Sequence, residues 1–189
     1  RLFIQVKYLQ KHKSTVAIGG QCDVINHTGA VVGRKRFPTS FEDIYKYIFT
    51  FVPVQQPTLM IARNRLPKNF EYYRDGMNTA EEVELFFKLF QHGKVENVKE
   101  TIHQYRIHDS NTSLTNTKTT FFLTLISRIK AVVRYDYKPT VKGVLFTFAQ
   151  TVLVLILPQS LLLMLYKQIR SMQMTTKKIV PNLQFATRS

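Results

Sequence analysis

Glu82 is the residue of this sequence whose type and position could most readily support chemistry. Thr79 and Glu82 have the spacing of a capping box, which predicts a helix that begins at Ala80. At about 100° per residue, Glu82 then lies beside Phe86 and Leu89, at the edge of the apolar face. A carboxylate is costly to desolvate there, so Glu82 needs either a partner or a chemical task. The capping box alone would supply a partner, and this structural explanation stays open.

The rest of this helix has an ordinary amphipathic pattern. One solvated face, on which Glu84 and Lys88 would pair one turn apart, is predicted to carry Glu81, Glu84, Lys88 and Gln91. The apolar face is predicted to carry Val83, Phe86, Phe87 and Phe90. Glu82 is thus set apart from the solvated acidic residues of its own helix.

A second candidate group lies where a predicted strand meets a polar loop. An extended segment over Thr101–His108 points Arg106 and His108 to one face and Tyr105 and Ile107 to the other. The pattern alone is equally compatible with a solvated arginine and a histidine bonded to the loop that follows.

Composition restricts the classes of partner. The 189 residues include 27 Lys and Arg against 12 Asp and Glu, so the formal net charge is +15. Such a surplus favours polyanions: acidic lipid, nucleic acid or phosphorylated small molecules. The sequence argues against nucleic acid as the partner, because no tight basic block is interleaved with aromatics and no zinc-knuckle spacing occurs. The single cysteine, Cys22, excludes an internal disulfide framework and is expected to be a small buried apolar residue.

Helix and strand patterns alternate along the chain. Predicted helices cover residues 1–13, 41–49, 80–92 and 119–135, and predicted strands cover residues 16–20, 22–26, 30–37, 58–62, 94–98 and 100–108. In the first helix, Leu2, Val6 and Leu9 form the apolar side. Because the sequence begins with Arg1 inside a predicted helix, we expect it to be a piece of a longer protein.

The C-terminal part carries a long apolar run. Gly143–Tyr166 contains no charged residue and is long enough on paper to span a bilayer, for which about 20 residues are needed. Pro158 would end or kink the first helix and open a second one over Gln159–Met172, which leaves each half short for a span. The flanking basic residues are Lys138, Lys142, Lys167, Arg170, Lys177 and Lys178. We expect interfacial or re-entrant membrane helices, with a true span and a helix docked on protein as alternatives.

Taken in order, the segments resemble the C-terminal half of a family 2 glycosyltransferase with the GT-A fold, over residues 1 to about 134. RLFIQVKYLQKH resembles the helix after the Asp-x-Asp motif, and VAIGGQCDVINHTGAVVGRKRFP resembles the next strands and hairpin. QPTLMIAR resembles the strand entering the acceptor side, and YYRDGMNTAEEVELFFKLFQHGKVENV resembles the glycine-containing loop and the helix with the Glu-Asp pair. YRIH resembles the Tyr-Arg-x-His near the C-terminal edge of the fold.

The resemblance implies transfer of a sugar from a nucleotide-sugar donor to a hydroxyl of a glycan or lipid-linked acceptor. A base must take the proton of that hydroxyl, and Glu82 matches the base Asp of the family's pair, with one extra methylene. Partial burial should raise the pKa of Glu82, while the helix N-terminus limits the rise. Residues implied in acceptor or donor binding are Gln56, Arg74, Asp75, Gly76, Glu81 and Arg106, and His108 is the implied metal ligand.

The implied fold is α/β: a partial GT-A domain, with a Rossmann-like mixed sheet and flanking helices, over residues 1–138. Membrane-associated helices are expected over 139–172 and a flexible tail over 173–189. The implied cofactor is a divalent metal (Mg or Mn), held mostly by the family's Asp-x-Asp motif, which is absent here and would precede Arg1. The implied enzyme is inverting, acts at the cytoplasmic face of a membrane, and makes a cell-surface glycan precursor.

Two features bear on alternatives to this function. The absence of Gln-x-x-Arg-Trp argues against a processive polysaccharide synthase of the same family. The glutamate at the position of the base aspartate favours a noncatalytic, membrane-attached module as the alternative. Without the nucleotide-binding half, the chain by itself is expected to show no turnover.

Overall fold

The computed structural model describes residues 1–73, 81–106, 117–162 and 164. Its helices are α1 (Leu2–Lys11), α2 (Phe41–Tyr47), α3 (Glu81–Phe90), α4 (Thr117–Arg134) and α5 (Val141–Ile156). Its strands are β1 (Thr15–Ile25), β2 (Val31–Lys35), β3 (Met60–Ile61) and β4 (Lys94–Arg106), and 3-10 helices cover Gln56–Thr58 and Arg63–Arg65. The predicted α/β class, with a mixed sheet and flanking helices, is confirmed.

Strand β1 lies at the centre of the sheet. It pairs antiparallel with β2 and β3 along one edge and parallel with β4 along the other. The sequence predicted two strands here, separated after Gly20, and that break is wrong. A side chain on Gly19 would strike Val54 and Asn97, and one on Gly20 would strike Ile102. The glycines therefore mark a close approach of neighbouring side chains inside one strand.

Strand β4 is also continuous where two strands were predicted. Gly19 pairs with Asn97, but Gln21 pairs with Thr101, so extra residues of β4 are accommodated between these two pairs. The predicted end of a strand near Lys99 is in fact this bulge.

The segment predicted as a buried strand over 58–62 is mostly not a strand. Thr58 closes a 3-10 helix, where its hydroxyl donates to the Gln55 carbonyl (2.7 Å) and accepts the Gly20 N–H (3.1 Å). Only Met60–Ile61 remains to pair with β1.

Helix α1 is oriented differently from the prediction. Leu9 is buried, but Leu2 and Val6 are 65% and 44% exposed, and Gln5 is buried instead. The Gln5 amide donates to the carbonyls of Ile18 (2.9 Å) and Thr58 (2.7 Å). These two hydrogen bonds offset the cost of burying the amide, which the apolar pattern alone could not indicate.

The C-terminal part begins with α5, which ends at Ile156 shortly before Pro158, as predicted. Residues 159–162 are helical, whereas most of the predicted second helix and the predicted tail over 173–189 lie outside the described residues. No helix within the described ranges is long and apolar enough to cross a membrane.

Candidate functional site

Glu82 lies in the first turn of α3, which is fixed to the core along its apolar side. Val83, Phe86 and Phe87 are almost completely buried, and Phe87 packs against Tyr137 with ring centroids 4.9 Å apart. Glu82 itself is half-buried. Its predicted position at the edge of the apolar face is confirmed, and the packing of α3 fixes the backbone from which the carboxylate extends.

Burial raises the pKa of the Glu82 carboxyl above its ordinary value, because water is removed from the charged form. The hydrogen bond from its own backbone N–H opposes this rise, and the negative charge of Glu81 adds to it. The helix N-terminus thus limits a shift caused by desolvation. A carboxylate of this kind accepts a proton more readily than a fully solvated one does.

Glu84 is not on a solvated face, so that part of the predicted pattern is wrong. It is 3% exposed, accepts a hydrogen bond from the Tyr135 hydroxyl (2.8 Å), and lies 3.3 Å from the Lys130 ammonium. Lys130 lies near the C-terminal end of α4, and Tyr135 directly follows that helix. This end of α4 packs against α3. Glu84 therefore joins two helices and is not available for solvent-side chemistry.

Lys88 also has a different partner from the predicted one. Its ammonium donates to the Glu71 carbonyl (3.0 Å) and to the Glu71 carboxylate (2.8 Å). Two residues after Glu71, the Tyr73 hydroxyl accepts a hydrogen bond from the Gln56 amide (3.3 Å). The segment that leads to Arg74 is thus tied both to α3 and to the 3-10 helix of Gln56.

The remaining predicted site residues have different outcomes. Arg106 donates from Nη1 to the carbonyls of Asn26 (2.7 Å) and His27 (3.0 Å), so it holds the end of β4 to the turn between β1 and β2. Contact of Arg106 with a phosphate stays a prediction. The predicted site residues outside the described ranges are Arg74, Asp75, Gly76 and His108.

The described residues do not supply a donor set for a divalent metal. Within the described ranges, no three or more carboxylate, imidazole or thiolate side chains are grouped so that they could hold an ion. Sequence reasoning also missed Tyr73, whose hydroxyl accepts the hydrogen bond from the Gln56 amide. The tyrosine pair at residues 72–73 was a visible signal, but its partner is not close in sequence.

Comparison with known proteins adds no relative: no family model matches this sequence, and no curated protein matches it significantly.

Proposed function

We propose that this chain forms the acceptor-side half of a glycosyltransferase of family 2, with a partial GT-A fold and Glu82 as the catalytic base. The observation that carries the proposal is the half-buried Glu82 carboxylate with a raised pKa, held in the first turn of α3. In the sequence resemblance, Glu82 matches the base Asp of the family. The donor is a nucleotide-sugar and the acceptor is a hydroxyl of a glycan or a lipid-linked glycan.

In the proposed step, Glu82 takes the proton of the acceptor hydroxyl while that oxygen attacks the anomeric carbon. The bond from that carbon to the diphosphate breaks, and the nucleoside diphosphate leaves with the electron pair. Attack from the side opposite the leaving group inverts the anomeric centre. A divalent ion, Mg or Mn, would neutralise the diphosphate, and the proposal assigns its binding mainly to an Asp-x-Asp motif outside this sequence.

The surroundings of Glu82 support this role. Transfer needs the base to be fixed within a fraction of an ångström, and α3 is fixed by its apolar face and by the contacts of Glu84 with Tyr135 and Lys130. The Gln56 amide donates to the hydroxyl of Tyr73, which precedes α3 in the sequence (3.3 Å). The proposal assigns acceptor binding to Gln56 and to residues 74–76, on the same side of Glu82 in the sequence.

The test is Glu82→Gln in the complete transferase, measured as acceptor-dependent release of nucleotide. Gln keeps the hydrogen-bonding shape of the side chain, so the fold should be retained, while loss of the base should slow transfer about 10²–10⁴-fold at unchanged donor affinity. Glu42→Gln is the matched control, because Glu42 is an exposed glutamate in the first turn of α2, and it should leave transfer nearly unchanged. Near-normal transfer by the Glu82→Gln enzyme would reject Glu82 as the base and direct attention to Asp75.

A second candidate function is a noncatalytic module with a degenerate transferase fold. It is favoured by the glutamate at the position of the base aspartate, since a displacement of about one bond length can remove most of the activity. Nucleotide release by the unaltered protein separates the two candidates: an enzyme releases nucleotide and loses this activity in Glu82→Gln, whereas neither protein releases nucleotide if the module is noncatalytic.

The proposed enzyme acts without processivity at the cytoplasmic face of a membrane, in the synthesis of a cell-surface glycan. The +15 net charge and the apolar C-terminal run support this location.

A further inference from the structure

Helix α5 carries its apolar residues on the outside. The residues that it buries are Gly143, Thr147 and Val154, which recur at helical spacing and are small or polar for the most part. On the opposite side, Leu145 is 62% exposed and Phe148 is 68% exposed. A helix on the surface of a water-soluble domain has the reverse arrangement, with its large apolar residues inward.

The inward side of α5 is held by specific contacts with the domain. The Thr147 hydroxyl donates to the Phe49 carbonyl (3.0 Å), and Gln150 accepts from the Arg128 guanidinium (3.4 Å). A Cβ on Gly143 would lie 3.5 Å from Phe49, so the helix backbone approaches the domain closely there. The orientation of α5 is therefore fixed by its polar and small residues.

Helix α4 shows the same inversion in its second half. Ser127 and Arg128 are buried, whereas Ile126, Ile129 and Val133 are 48%, 55% and 76% exposed. Two helices in succession thus turn β-branched, leucine and phenylalanine side chains away from the domain. Exposed apolar surface of this extent marks a contact with another apolar phase.

The charges around these helices indicate which phase that is. Between residues 117 and 164 the only acidic residue of the sequence is Asp136, while Arg134, Lys138 and Lys142 are exposed next to the apolar side chains. A second copy of the chain also carries a net charge of +15, so two such surfaces would repel each other. An anionic lipid surface attracts the lysines and accepts the apolar side chains at the same time.

We infer that α5 lies in the plane of one leaflet of an anionic membrane, with Thr147 toward the domain and Leu145 and Phe148 among the lipid chains. The bilayer reaches only one side of the helix, because the other side is packed against Phe49. This inference deepens the membrane location proposed above, but it does not depend on sugar transfer. Vesicle binding and transfer can therefore fail separately.

The first test uses the lack of tryptophan in the sequence. Phe148→Trp places a single reporter on the outward side of α5 in the full 189-residue chain. On addition of vesicles of phosphatidylcholine with about 30% phosphatidylserine, its emission should shift to the blue, and lipids brominated near the headgroup should quench it more than lipids brominated near the chain ends. Stronger quenching from the chain ends would overturn the in-plane orientation.

The second test measures sedimentation with the same vesicles. Leu145→Gln combined with Phe148→Gln should weaken binding about 100-fold, because two large side chains no longer enter the lipid. Phe3→Gln is the matched control: Phe3 is 77% exposed on α1, and its replacement should leave binding unchanged. Lys142→Gln should weaken binding to anionic vesicles about fivefold and leave binding to neutral vesicles unchanged, while Lys99→Gln on β4 should have neither effect.

Three further results would overturn the inference. Equal loss of binding in the Phe3→Gln and double variants would mean that any exposed apolar residue contributes to vesicle binding, whether or not it lies on α5. A reporter at position 148 that is already shielded from water without vesicles would mean that protein covers this side of α5. A wild-type dimer that becomes monomeric in the double variant would assign the surface to a second copy of the chain.

Discussion

Helices α3 and α5 follow opposite rules, although both are packed on the same domain. In α3, Phe86 and Phe87 face the core, while Glu81 and Glu82 at its N-terminal end are only half-buried. In α5, Thr147 faces the domain and Phe148 faces outward. The comparison teaches that an apolar pattern identifies the apolar neighbour of a helix but does not say whether that neighbour is the protein core.

The largest expected difference comes from the same substitution in the two helices. Phe86→Ala removes a ring that is 0% exposed and should lower the free energy of unfolding by about 3–5 kcal/mol. Phe148→Ala removes a ring that is 68% exposed and should change it by less than about 0.5 kcal/mol in the absence of membranes. Urea titration of both variants without lipid or detergent measures the difference. Equal destabilisation would show that Phe148 packs against protein in solution.

A smaller effect is expected where α3 buries a charge. Glu84→Gln keeps the shape of the side chain but removes the charge that faces Lys130 and the strong acceptor of the Tyr135 hydroxyl. The expected loss of unfolding free energy is about 1–3 kcal/mol. Glu81→Gln, one turn earlier and half-buried without such a bond to α4, should cost less than about 0.5 kcal/mol. If both variants are equally stable, the contact between α3 and α4 does not depend on the Glu84 charge.

The smallest expected effect is a pH dependence at Glu82. Because burial raises the pKa of this carboxyl, the free energy of unfolding falls as the pH rises from the ordinary pKa of glutamate to the raised pKa, and it stays lowered above that. Below the ordinary pKa of glutamate the group is protonated in both states and this loss is absent. Glu82→Gln should therefore melt at the same temperature as the wild type in acid and slightly higher at neutral pH. A variant that melts lower at neutral pH would mean that hydrogen bonds to the carboxylate outweigh its burial.

The position of Glu82 could be predicted because the helical period alone decides which face a residue joins. The burial of Glu84 could not, because its partners Tyr135 and Lys130 lie on a segment some 50 residues away. The orientation of α5 likewise depends on Phe49, which is distant in sequence from Thr147.

Sheet predictions failed for a related reason. The sequence near Gly19 and Lys99 has the pattern of a strand end. In the structure, Gly19 marks a close approach of neighbouring side chains and Lys99 lies in a bulge, both inside long strands. Each strand forms more hydrogen bonds by continuing than by ending there. The α/β class was robust to such errors, since it depends only on the alternation of helix and strand.

The parallel pairing of β1 with β4 has a consequence during synthesis. Ile25 pairs with Arg106, and the side chain of Arg106 bonds to a carbonyl 80 residues earlier in the sequence. At typical rates of translation, the ribosome needs roughly 4–16 s to produce that length of chain. Throughout this time β1 can have its hairpin partner β2 but not β4, so one edge of its apolar strand is open to other chains. The order of the strands therefore predicts that this edge of β1 is exposed to wrong strand pairing until β4 has left the ribosome.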